Sequence, residues 1–326
     1  MEILPGEEEM QDLLSCLLNT SCQTQVRSRY ESALIYTALS FVSLLTVLLN
    51  MLVLISISHF RQLHTPTNVL IFSLALADLL VGAQMIPLEM ITRSNPCWYL
   101  GRLMCYLVPY ASGIFTFSSI WNLALISVDR YIAVCEPLLY PSRVTMRRTV
   151  SSSVLIWICS IIYCGWIMID HLGNLHAYDR CTGLCVVIYL PYSGIVDLLV
   201  SFLCPCCVIV VLYIRIFTVA ISQARSIKSN SVSIESDFMK TRKSERKAAT
   251  TLSIVIVVYL LCFAPYFCSP LSDNWFSQVV MIWIFQMNSC LNPLIYAFFY
   301  PWFKKSVKCI ITMKILQPFS SELSLM

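Results

Sequence analysis

The chain has 326 residues, of which 58% are hydrophobic and only 12% charged, with a formal net charge of +4; its mean hydropathy is +0.73. No water-soluble domain of this length carries such a balance, so a soluble globular protein is excluded and a polytopic membrane protein is indicated.

Residues 1–32 form a short acidic leader with Glu2, Glu7, Glu8, Glu9 and Asp12. It holds Asn19-Thr20-Ser21, a sequon that can be glycosylated at Asn19 only on the lumenal or extracellular side. Nothing before Ala33 has a basic start followed by an apolar stretch and a cleavage site, so no removable signal peptide is expected and the first span directs insertion.

Apolar segments of about 20 residues, long enough to cross the hydrocarbon, then recur seven times within 33–300. They are Ala33–Ser58, Asn68–Ile91, Cys105–Val134, Thr149–Ile169, Leu184–Ala220, Ala248–Ser269 and Phe276–Phe299. The fold class expected is therefore all-α, a seven-transmembrane helix bundle. Arg61, then Arg143, Arg147 and Arg148, then the run from Arg225 to Lys247, then Lys304, Lys305, Lys308 and Lys314 all fall on one side. Basic residues near span ends are retained in the cytoplasm, so the N-terminus is expected outside and the C-terminus inside.

Span two carries Asp78 and, about 16 Å further out, Glu89. Glu89 admits two readings. It snorkels to the interface beside Arg93, its i+4 neighbour, or it faces the cavity as a second ligand acid, in which case a diamine or polyamine could bridge two carboxylates. Span three serves as a ruler: Cys105 to Arg130 makes roughly 38 Å of helix, so its ends face opposite compartments. Its inner end reads Asp129-Arg130-Tyr131, and Glu245, at the same inner level before span six, is an acid able to clasp Arg130.

Span five holds the most informative residue, Asp197, within an otherwise apolar run. An unpaired carboxylate in hydrocarbon costs at least about 2.5 to 3.5 kcal/mol, which makes such an acid a functional candidate. Pro205 lies about 12 Å deeper, placing Asp197 near the outer end. In span six Pro265 breaks a helical hydrogen bond and leaves a hinge between outer aromatics and the inner end.

After span seven, residues 301–313 read as an amphipathic helix on the inner leaflet, with Phe303, Val307, Ile310 and Ile311 on one face. Cys309 within it either carries palmitate or stays a plain thiol. Residues 314–326 form the cytoplasmic tail. Of the 16 cysteines, Cys16, Cys22, Cys97, Cys105, Cys181 and Cys185 fall on the exterior, where disulfides form, and six allow 15 pairings.

These features resemble, from about Ala33 to Met313, a rhodopsin-like (class A) G-protein-coupled receptor. The resemblance rests on Asn50; Leu76-Ala77-Asp78; Cys105 and Asp129-Arg130-Tyr131; Trp157; Pro205 and Tyr213; Cys262-Phe263-Ala264-Pro265; and Asn292-Pro293-Leu294-Ile295-Tyr296. More narrowly, the stretch Asn288 to Phe303, the stretch Ser58 to Asn68 and Cys97-Trp98-Tyr99 are similar to trace amine-associated receptors. The resemblance implies a plasma-membrane receptor, mostly olfactory in that family, that binds volatile or biogenic amines and raises cyclic AMP through a stimulatory G protein. It also implies that Cys185 pairs with Cys105, while Cys16 and Cys22 tie the leader to Cys181 and Cys97.

The departure from the family is informative. Most amine receptors carry an aspartate at the position of Ser112, which here is neutral, whereas Asp197 resembles the alternative acid of a fish-expanded branch. An alkylammonium entering a dry pocket needs a charge partner, and Asp197 is the acid at the right depth. By matching depth, Thr116, Phe263, Tyr266, Phe267, Trp283 and Gln286 complete the expected pocket, whose aromatic walls suit a cation and its hydrocarbon tail.

The resemblance further implies a packing switch at Ile120, Pro205 and Tyr259, and an opening in which Arg130 leaves Glu245 while Tyr213 and Tyr296 turn inward. It implies an allosteric sodium ion at Asp78, Ser119, Asn288 and Asn292; no other cofactor is expected. Competing classes fare worse. A retinal protein needs a lysine in span seven, where Gln286 stands instead, and a transporter favours repeated halves, which are absent. A class A receptor for a non-amine ligand stays as the alternative. No enzyme constellation is present.

Overall fold

The computed structural model describes residues 29–94, 100–169, 191–229, 257–258, 260–265, 275–299, 301–318 and 320–322. Helix one is Arg29–His59. Helix two is α-helical over Pro66–Leu80 and Ile86–Ser94, joined by a π-helical turn over Val81–Met85. Helix three is Gly101–Cys135, helix four Met146–Ile167 and helix seven Trp275–Phe299. Helix five runs Pro191–Asp197, a π-helical Leu198–Leu203, then Cys204–Ser229. Of helix six, residues 257–258 and 260–265 are described, and they are helical.

Five of these helices are long and apolar enough to cross a membrane, and Val280–Ile295 is a shorter apolar stretch in helix seven. All described regular structure is helical. Their bounds follow local chemistry. Thr65 caps helix two by accepting from the Asn68 amide at 3.3 Å, with Pro66 in the first turn, and Thr145 caps helix four by accepting from the Arg148 amide at 3.4 Å.

Burial is inverted relative to a soluble bundle. Leu34, Phe41, Leu44 and Leu48 of helix one and Leu155, Ile158 and Ile162 of helix four are exposed, whereas Asn50, Asp78, Ser118, Asn122 and Asn292 are buried. Apolar side chains facing outward are what a hydrocarbon solvent favours, and polar groups then find their partners inside.

The prolines account for three irregularities. Pro87 and Pro205 lack the N–H that would bond the carbonyls of Ala83 and Ser201, and both carbonyls sit inside π-helical turns. The turn in helix two is held from outside by Ser43, whose hydroxyl donates to the Gly82 carbonyl at 2.8 Å. A Cβ on Gly82 would meet Thr46 Cγ2 at 2.8 Å, so the close approach of helices one and two requires glycine there. Pro293 frees the Ser289 carbonyl, and the Asn50 side-chain amide of helix one donates to it at 3.0 Å.

Helix eight is Pro301–Ile311 and ends before Met313, whose φ of 56° is left-handed. Phe303 is buried together with Trp302, Ser306 and Cys309, Val307 packs on the core of the bundle, and Ile311 is 71% exposed. Cys309 is a buried free thiol.

Candidate functional site

Asp78 anchors the centre of the bundle. It is fully buried, and its Oδ1 accepts from Ser119 at 3.1 Å and Ser289 at 2.9 Å, while Oδ2 accepts from the Asn292 amide at 2.8 Å. Ser119 and Asn292 are two of the residues expected at a sodium site. The other contact from helix seven is Ser289, not Asn288, because neighbouring residues differ by about 100° around a helix axis. Asn288 Oδ1 and Asn292 Oδ1 are buried acceptors with no hydrogen-bond donor among the described residues. Asn292 bonds Asp78, so its unsatisfied oxygen lies beside the carboxylate, and such a donor set is compatible with a small hard cation such as sodium.

At the inner end the Arg130 guanidinium donates to the Asp129 carboxylate, with Nε at 2.9 Å, and to Thr67 of helix two. Thr67 also donates to Asp129 Oδ2 at 3.0 Å. Tyr140, in the short helix Tyr140–Arg143 that follows helix three, donates its hydroxyl to Asp129 Oδ1 at 3.0 Å. Burial, then the neighbouring Asp129 carboxylate, push the Tyr140 phenol above the usual tyrosine range, which keeps it a donor at neutral pH. Glu245, the expected clasp, lies outside the described residues, as does Tyr259; the Tyr296 side chain is likewise not described. Tyr213 is buried on helix five. Thr67 and Tyr140 went unseen in the sequence because hydroxyls on separate elements have no common spacing.

The outer half holds Asp197. It is half-buried, between the buried Ser193 and Ser201 one turn away on either side, while Tyr192, Ile195, Leu198 and Leu199 are exposed. Its Oδ1 accepts from Ser201 at 2.7 Å and from the Tyr163 hydroxyl of helix four at 3.1 Å. No hydrogen bond to its Oδ2 is formed among the described residues. The Tyr163 ring lies 4.7 Å from Phe117 of helix three and 6.3 Å from Trp166. The acid is thus turned inward and braced by two neutral donors.

Glu89 is turned to helix seven, where the Gln286 side-chain amide donates to its Oε2. Gln286 is 2% exposed. This bond is the kind the inward reading of Glu89 needs; Arg93, the partner in the other reading, has a side chain outside the described residues. Nearby, Trp283 of helix seven and Phe115 of helix three pack with Met85 and Met90 on the cluster Leu39, Val81 and Ile86. The Trp283 indole N–H is buried and has no acceptor among the described residues.

Ser112 and Thr116 are half-buried on helix three. Phe263 is buried with its ring 4.6 Å from Phe285, so it packs deep between helices six and seven. Tyr266 and Phe267 lie outside the described residues, as do Asn19 and Cys16, Cys22, Cys97, Cys181 and Cys185. Cys105 is disulfide-bonded; every other described cysteine is free.

A bundle of apolar helices that buries its polar side chains has the architecture of a multi-pass membrane protein. The sequence matches the family "7 transmembrane receptor (rhodopsin family)" over residues 49–296. Trace amine-associated receptor 13c of Danio rerio is 39% identical over 321 residues, spanning 94% of each chain. Trace amine-associated receptor 7c of Rattus norvegicus is 39% identical across 94% of this chain and 90% of its own. Trace amine-associated receptor 5 of Rattus norvegicus is 35% identical across 97% and 96%. The chain belongs to the trace amine-associated receptors of the rhodopsin family, and it is not an enzyme.

Proposed function

We propose that this receptor lies in the plasma membrane with its N-terminus outside and C-terminus inside, binds a protonated amine through Asp197, and activates a stimulatory G protein to raise cyclic AMP, most readily in olfactory cells. The observation that carries the reading is the Asp197 carboxylate, turned into the bundle with Oδ1 braced by Tyr163 and Ser201. An ammonium approaching Oδ2 gains a charge-assisted hydrogen bond of about 2.7–2.9 Å in a medium of low dielectric. Ser112 leaves the more familiar position on helix three neutral.

Binding is read as favouring the open form of helix six about Pro265, with Phe263 against Phe285 relaying the movement. Arg130 then exchanges its closed-state partners, Glu245 among them, for the G protein, and Tyr213 and Tyr296 turn inward around Pro293. Sodium held by Asp78, Ser119, Asn292 and the free oxygen of Asn288 would favour the closed form.

The test is cyclic AMP in transfected cells given mono-, di- and polyamines, on wild type and Asp197→Asn with surface expression matched. A response lost in the variant supports the displaced counter-ion. A response that survives moves the amine elsewhere, and silence of a well-expressed wild type rejects the amine reading.

A further inference from the structure

The geometry points to a second cation site at Glu89, so that the preferred agonist is a dication whose two ammonium groups reach Glu89 and Asp197; the inference rests on the assignment of Asp197 as the first anchor. Helix three supplies the measure. Phe115 packs on the cluster of helices one and two that contains Ile86, and Glu89 follows Ile86 by one turn. Phe117 packs on Tyr163, whose hydroxyl bonds Asp197. The two phenylalanines are two residues apart, about 3 Å in depth and about 200° around the axis. Glu89 and Asp197 are therefore reached from nearly opposite flanks of helix three at nearly one depth.

What lies between them fits the chain of a diamine. On the same wheel, Ser112 and Thr116 fall on the arc between Phe115 and Phe117, so the floor between the acids is a pair of half-buried hydroxyls rather than a third charge. A carboxylate at Ser112 would compete for either ammonium in the middle of the span; its replacement by serine leaves the two ends as the charged positions.

The Glu89 end has the parts of a cation site. Its carboxylate is oriented by the buried Gln286 amide. Trp283, one turn outward on helix seven, packs on the same cluster as Met85 and Met90, and its buried indole N–H has no acceptor among the described residues. A carboxylate beside an aromatic face is a pairing that stabilises an alkylammonium. The inward turn is built by helix two itself, since the π-helical Val81–Met85 and Pro87 precede Glu89 and reset its direction.

The experiment is a chain-length series of α,ω-diamines, from 1,3-diaminopropane to 1,8-diaminooctane, against monoamines of equal carbon number. Cyclic AMP is recorded on surface-matched wild type, Glu89→Gln, Glu89→Asp and Asp197→Asn. Wild type is expected to show a potency maximum at an intermediate length, at least tenfold above the matched monoamine. Glu89→Gln keeps the size and hydrogen bonding of the side chain and is expected to collapse that ratio. Glu89→Asp withdraws the carboxylate by one methylene and is expected to move the maximum to a longer diamine, which a merely structural Glu89–Gln286 tie would not do. Equal losses for monoamines and diamines in Glu89→Gln, or no diamine advantage in wild type, overturn the second site. Amine responses that persist in Asp197→Asn overturn the first anchor instead, and a surface-expressed wild type silent to every amine overturns both.

Discussion

Asp197 could be found in the sequence because charge in an apolar run is conspicuous, but its environment could not. Tyr163 sits on another helix, and hydrophobic periodicity does not say which turn of helix four meets which turn of helix five. For the same reason of register, the Ser289 hydroxyl that donates to Asp78 went unseen. The Tyr163 hydroxyl and Ser201 share one oxygen of Asp197, which fixes the carboxylate plane and leaves the other oxygen without a hydrogen bond among the described residues. A hydrogen bond to a charged group contributes about 1.5–3 kcal/mol, some of which is expressed as positioning. Tyr163→Phe keeps the ring against Phe117 and removes only the donor. Amine potency in a concentration–response assay is expected to fall about tenfold, equivalent to about 1.4 kcal/mol. An unchanged potency would mean that Ser201 alone orients the acid.

Most helices were legible because each buries a polar seam inside a long apolar segment, and the bounds expected for spans one, three and seven lie within about four residues of those formed. Hydropathy does not register the hydrogen-bond pattern, so the π-helical turns of helices two and five were invisible even though Pro87 and Pro205 were in plain view. They matter because an extra residue per turn re-aims everything beyond it, Glu89 outward of one turn and Asp197 outward of the other. Pro293 meets the same problem differently, with Asn50 satisfying the freed Ser289 carbonyl. Asn50 is 1% exposed, so removing its amide strands a buried acceptor. Asn50→Leu is expected to cost about 1–3 kcal/mol, read as a lower thermal midpoint of the detergent-solubilised receptor. An unaltered midpoint would show that the carbonyl finds another donor.

At the scale of the whole molecule, the proposed signal passes from Asp197 to Arg130 only if the closed bundle is a state that a ligand can disfavour. The Arg130 end holds hydrogen bonds that such a state needs. Three elements converge on the Asp129–Arg130 pair: helix three itself, Thr67 at the start of helix two, and Tyr140 from the loop after helix three. Sequence reading found the pair and an acid near helix six, because charges stand out in this composition, and overlooked the two hydroxyls, which do not. A hydrogen bond to a charged group contributes about 1.5–3 kcal/mol, so the loss of one that only the closed form makes moves the closed-to-open ratio by roughly tenfold or more. Tyr140→Phe removes one donor from Asp129 while preserving the ring, and where the open form is a minor population its occupancy rises by nearly that factor. Ligand-independent cyclic AMP, normalised to surface receptor, is therefore expected to rise roughly tenfold, and Thr67→Val should act in the same direction. Because burial and Asp129 keep the Tyr140 phenol protonated, the wild-type contact should not be lost as pH rises from 6 to 8. If basal signalling in Tyr140→Phe equals that of wild type, Asp129 holds Arg130 without help from the loop, and the threshold for activation is set at helix six.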